Sequence, residues 1–147
     1  GSAEYADYLE IEKRLEKLLQ EYANIDWGKS TKKGDVVSDF LLELWSIHPF
    51  REGNTRTCIT FLWHYLRGKG VDIQVALLRN NPMYVRDSLV MANYDQKDYL
   101  RRIILDALQC EMQESEYFMA EEQAGEQYKI AKADYEAFRE KYSIKKD

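Results

Sequence analysis

Apolar positions recur along most of this chain at spacings of three and four, with almost no strict alternation, which is the period of helices and not of strands. Tyr8, Ile11, Leu15, Leu18 and Tyr22 mark a first stripe. DWGKSTKKGD, residues 26–35, is rich in Gly, Ser and Lys and reads as a turn. Asp35 is the expected cap of a second helix, with Val36, Val37, Phe40, Leu41 and Leu44 on its inner face. Pro49 ends that helix, because proline disfavours helical geometry in the residue before it. A loop from His48 to Asn54 leads into a strongly apolar helix striped by Ile59, Leu62, Trp63 and Leu66 and closed by Gly68 and Gly70. Asn81-Pro82 predicts a helix start, a cap followed by proline at the first helical position, running to about Tyr94. Asp95 with Asp98 opens the next, through Tyr99, Leu100, Ile103, Ile104, Ala107 and Leu108. The pattern predicts an all-α domain.

From Glu111 the composition changes. Residues 111–127 hold six Glu and no Lys or Arg, and residues 128–147 hold six Lys or Arg. Tyr128, Ala131, Tyr135, Phe138 and Tyr142 form a narrow seam two heptads long. The expected division is a core at 4–110 and a charged helical extension at 111–147. The extension packs on its own domain or a symmetry mate, or it offers a dock to a partner helix.

The bulk numbers narrow the function classes. At 147 residues the chain suits one domain with a real core. A net charge of −5 argues against nucleic acid as a partner, since phosphate binding needs a basic face. No stretch approaches the ~20 apolar residues of a membrane span. The two cysteines, Cys58 and Cys110, lie far apart in helical segments, so neither a disulfide framework nor a zinc site is expected. The expected compartment is reducing, cytoplasmic.

The chemistry concentrates in HPFREGNTRT, residues 48–57. An imidazole, His48, sits where one helix ends. A carboxylate, Glu52, follows four residues on, and Gly53-Asn54-Thr55 opens the next helix with Arg56 in its first turn. Such a helix start is an anion site: its backbone N–H groups are unpaired and its dipole is positive. Gly53 admits close approach of an anion, and the fork of Arg56 suits phosphate oxygens. Glu52 fits beside phosphate if it holds Mg²⁺, which takes one or two carboxylates plus phosphate oxygens. His48 can take a proton from an attacking hydroxyl. Each piece alone has an ordinary structural reading: a surface His, turn chemistry, a dipole partner. Together they are the parts of a phosphoryl or nucleotidyl transfer site.

This run resembles the signature of the Fic family, H-P-F-x-[D/E]-G-N-G-R-x-x-R, with Thr55 in place of a glycine. The helix leading into it and YVRDSLVMANY, residues 84–94, extend the resemblance over about residues 4–108. The resemblance implies an all-α Fic fold with the signature loop between two central helices, an upstream flap hairpin absent or truncated, and an extra C-terminal helix. It implies transfer of AMP from ATP to a Ser, Thr or Tyr hydroxyl of a target protein, the chain itself included, in the bacterial cytoplasm or a host cytosol. His48 is then the general base, Glu52 the Mg²⁺ ligand, and Gly53, Asn54, Thr55 and Arg56 the phosphate cradle. Phe50 anchors the loop and Asn93 contacts adenine.

Three departures from the family pattern bear on function. Ile59 stands where the family has a second arginine for the outer phosphates. The flap that clamps targets in the family is expected to be absent or truncated upstream of the first helix. No [S/T]-x-x-x-E-[G/N] inhibitory motif occurs. Doc-type relatives, which transfer a terminal phosphate, also lack the second arginine, but they carry Lys at the position of Thr55 and usually Ala at that of Gly53, so Gly53 favours nucleotide transfer. The alternatives are a Doc-like kinase and a catalytically weak remnant acting as a binding module. His64 is read as a structural histidine and Cys58 as a core filler.

Overall fold

A computed structural model describes residues 8–27, 32–47, 53–109 and 128–144. They form seven helices: α1 (Tyr8–Tyr22), α2 (Lys33–Ile47), α3 (Asn54–Gly68), α4 (Val75–Arg79), α5 (Pro82–Asn93), α6 (Asp98–Gln109) and α7 (Lys132–Lys141). No strand occurs among the described residues. The fold is all-α, as the apolar period predicts.

The hub is α2, which packs against α1, α3, α5 and α6. Its apolar face is wide enough for four neighbours: Val37, Phe40, Leu41, Leu44 and Ile47 are all buried. Phe40 lies fully buried among rings, 4.7 Å from Tyr65, 5.0 Å from Tyr22 and 6.1 Å from Trp27, centroid to centroid. From α3 the core receives Cys58, Ile59, Leu62 and Leu66, and from α6 Leu100, Ile103, Ile104 and Ala107. In α1, Leu18 and Tyr22 are buried and Ile11 and Leu15 partly so; the Tyr8 side chain lies outside the described residues.

Three helix ends differ from expectation, each for a local reason. Asp35 does not cap α2 but sits in its first turn, because the helix begins two residues earlier at Lys33. Gly34 belongs to this early turn, and a Cβ there would meet Leu105 Cδ2 of α6 at 2.4 Å, so any larger residue has to push the exposed Leu105 side chain aside. Asp35 instead lies 2.9 Å from Arg101 Nε, with the N–H aimed off the oxygen, an ion pair more than a hydrogen bond. Asn81 precedes α5 as predicted, yet its amide donates backward to the Leu77 carbonyl at 2.7 Å and closes α4. Pro82, which has no N–H, makes a forward cap less necessary. Asp95 closes α5 and does not open α6. Its φ is 74°, its N–H reaches the Ala92 carbonyl (3.0 Å), and the Gln96 N–H reaches that of Met91 (3.0 Å). This is a Schellman closure with aspartate at the usual glycine position.

The tail packs on its own domain. Tyr128 is buried and joins the core, its hydroxyl donating to Asp106 of α6. The rings of Phe138 on α7 and of Tyr142 just after it lie 6.3 and 5.2 Å from Tyr94, and the Tyr135 hydroxyl bonds Asp87 of α5.

Candidate active site

The chain leaves α2 at Ile47 and re-enters helix at Asn54. His48 and Glu52, with Pro49, Phe50 and Arg51, lie outside the described residues. The two helices that flank them are joined by a clasp on Trp45. The Asn54 amide donates to the Trp45 carbonyl (3.1 Å), and the Trp45 indole N–H donates to the Thr55 hydroxyl (3.1 Å). The clasp ties the last turn of α2 to the first turn of α3.

Gly53 precedes α3 in the left-handed region (φ 63°, ψ 32°), where glycine is favoured, and among the described residues nothing lies near the place of a Cβ. The Thr57 N–H and hydroxyl both donate to its carbonyl at 2.9 Å. Ahead of Thr57, the N–H groups of the first turn make no i→i−4 bond within the helix. The side chains of Asn54 and Thr55 point back to Trp45, which leaves the backbone N–H groups of Thr55 and Arg56 as the donors suited to an anion. The Arg56 side chain is exposed. Position 59 faces inward: Ile59 is 2% exposed, so the departure from the signature puts an apolar group into the core.

Asn93 is the last residue of α5 and exposed, yet it comes to the exit of α2, where the Ser46 hydroxyl stands 3.5 Å from its Oδ1. Both border a cleft of about 780 Å³ between α1, α2 and the end of α5. Leu18, Ile47 and Ala92 give it apolar surface, and Lys17, Glu43 and Tyr94 add polar groups. Burial pushes the Glu43 carboxyl up, against the lowering effect of the Tyr22 hydroxyl that donates to it. Burial first, and then the Glu43 charge, lifts the Tyr22 phenol far above its usual range. The structure therefore gathers Gly53, Asn54, Thr55 and Arg56 at the start of α3, and sets Asn93 by the exit of α2.

Two other readings are resolved. Cys58 is fully buried and its thiol is pushed up to about 12 by desolvation, so it is a filler. His64 is exposed beside Trp63, with ring centroids 4.9 Å apart, and is not a buried structural histidine. Sequence reasoning missed Trp45, Ser46 and Arg79, whose parts depend on neighbours nine or more residues away. A tryptophan one turn before the signature was the available hint of the clasp.

Among the described residues no three His, Cys, Asp or Glu side chains gather as a metal cage. A Mg²⁺ held by one carboxylate and phosphate oxygens needs no such cage. No helix among them is long and apolar enough to cross a membrane. The model of the Fic/DOC family matches residues 1–66. No curated protein and no solved structure matches the chain.

Proposed function

With residues 1–66 matching the Fic/DOC family, we propose that this chain transfers AMP from ATP to a Ser, Thr or Tyr hydroxyl of a target protein. The observation that supports the reading is the Trp45 clasp: it joins the last turn of α2 to the first turn of α3, the two elements that flank the HPFREG segment, with Arg56 in that first turn.

The chemistry follows from these residues. His48 takes the proton of the acceptor hydroxyl, whose oxygen forms a bond to the α-phosphorus as the bond to the bridging oxygen of pyrophosphate breaks. Negative charge grows on the α-phosphate oxygens, and the first-turn N–H groups of α3 and the Arg56 guanidinium are the donors that would stabilise it. Glu52 is the residue that would hold Mg²⁺, and the ion supplies charge neutralisation on the phosphates when bound. Asn93, set by Ser46 near the exit of α2, contacts the base.

With Ile59 in the core, the outer phosphates receive no cation from that position. This loosens the hold on pyrophosphate without touching the α-phosphate donors, and it leaves transfer of a terminal phosphate as the second reading. The left-handed Gly53, where Doc-type relatives usually have Ala, favours nucleotide transfer. The test is incubation of the chain and of His48→Ala with ATP labelled at the α or at the γ position, with and without cell lysate. Protein label from the α position, lost in His48→Ala, is the expected result. Label from the γ position alone establishes the kinase reading. Binding of an ATP analogue with no transfer establishes a binding module.

A further inference from the structure

Arg56, Thr60, Trp63 and Arg67 follow one another on α3 at spacings of four, three and four, so they share one face. The opposite face is the buried one, with Cys58, Ile59, Leu62 and Leu66. Arg79 reaches over the outer face from α4. Its Nη2 donates to the Thr60 hydroxyl (3.3 Å), and its guanidinium carbon lies 5.2 Å from the centroid of a Trp63 ring. Arg67 covers the same indole at 5.9 Å. Arg56, Arg67 and Arg79 are all exposed.

The strip from Arg56 to Arg67 is about 16 Å long at the rise of a helix. It is also isolated in charge. Residues 53–79 hold four cations, Arg56, Arg67, Lys69 and Arg79, and one acid, Asp72, in a chain whose net charge is −5. Guanidiniums stacked on an indole lose less side-chain freedom on binding than free ones, while their in-plane N–H groups still point outward as forks for carboxylates.

We propose that this face docks an acidic segment of the protein that accepts the nucleotide, so that hydroxyls with Asp or Glu about four or five residues away are the preferred targets. Naming the occupant as the acceptor protein rests on the transfer reading above; the docking face itself does not. The strip begins at Arg56, in the first turn of α3 where the proposed transfer site lies, and leads away from it, so a peptide lying along it brings its hydroxyl to that end of the helix. Nucleic acid fits less well. The Trp63 ring that a base would stack on is covered by Arg67 and Arg79.

The test is calorimetric titration of the full chain with an octaglutamate peptide, an octalysine peptide and an eight-nucleotide oligo-dT, each at low and at physiological salt. Octaglutamate is expected to bind, more weakly as salt rises, and the double variant Arg67→Ala/Arg79→Ala is expected to lose about tenfold in affinity. Arg79→Lys keeps the charge and should fall between. Thermal melts and titration with a non-hydrolysable ATP analogue on the same samples show that these variants are folded and keep their nucleotide site. No octaglutamate binding, equal binding by the double variant, or tighter binding of oligo-dT overturns the proposal. A chain that binds octaglutamate as expected but never the ATP analogue overturns the transfer reading and leaves the face standing.

Discussion

Asn54 and Thr55 show how one residue can be legible in type and illegible in use. Their place in a Gly-Asn-Thr helix start is plain from the sequence, and so is the anion-binding character of the backbone there. That both side chains turn away to Trp45 is a tertiary fact, set by how α2 and α3 meet, and no local pattern encodes it. Thr55→Val keeps the shape and removes the acceptor of the indole N–H. It should cost about 1 kcal/mol in urea unfolding, the usual worth of one such bond. Transfer activity should fall further than that stability loss alone explains, because the junction of the two helices that flank the HPFREG segment loosens. Unchanged stability would mean that the indole finds water instead. Ile59 was legible as a departure from the signature, and burial supplies its physical sense: position 59 belongs to the stripe that packs inward.

Among the elements, the long helices were readable because each carries a full apolar stripe, and their ends were less so. Asn81 and Asp95 look like helix starts, and both serve to close the preceding helix. The competing partner, a carbonyl of the preceding helix, is invisible to pattern reading. So was α4, five residues long and too short to show a period. Asp95→Gly should stabilise the protein by about 1 kcal/mol, because glycine adopts the left-handed closure of α5 without cost; a lower melting temperature would contradict that account. The dock of α7 on α5 has a pH signature. Burial raises the Asp87 carboxyl, opposed by the hydrogen bond from Tyr135 and by Arg86 and Arg139. A carboxyl raised on folding binds its proton more tightly in the native state. Its share of stability is therefore present below the ordinary carboxylate range and lost as pH climbs through the raised native value. Asp87→Asn should melt higher than the parent at neutral pH and match it in acid. A constant difference across that range would show that Asp87 does not titrate differently on folding.

At the scale of the whole molecule, the all-α core was legible from periodicity alone, with Phe40, Leu41, Leu44, Leu62 and Leu66 all placed inward beforehand. The grouping of Arg79 with the outer face of α3 was not, since it depends on how α4 crosses back after Gly70. The three tryptophans mark three different regions of this one body. Trp27 is sealed in the aromatic core, Trp63 lies under Arg67 and Arg79, and Trp45 is half-buried at the clasp. The molecule thus carries an optical reporter at the junction of α2 and α3. In a variant with Trp27 and Trp63 changed to Phe, the remaining emission comes from an indole whose N–H is bonded across the α2–α3 junction. Adding nucleotide should shift the wavelength of that emission, and Thr55→Val should abolish the shift, so that seating of the substrate can be followed as a colour change in real time without any label.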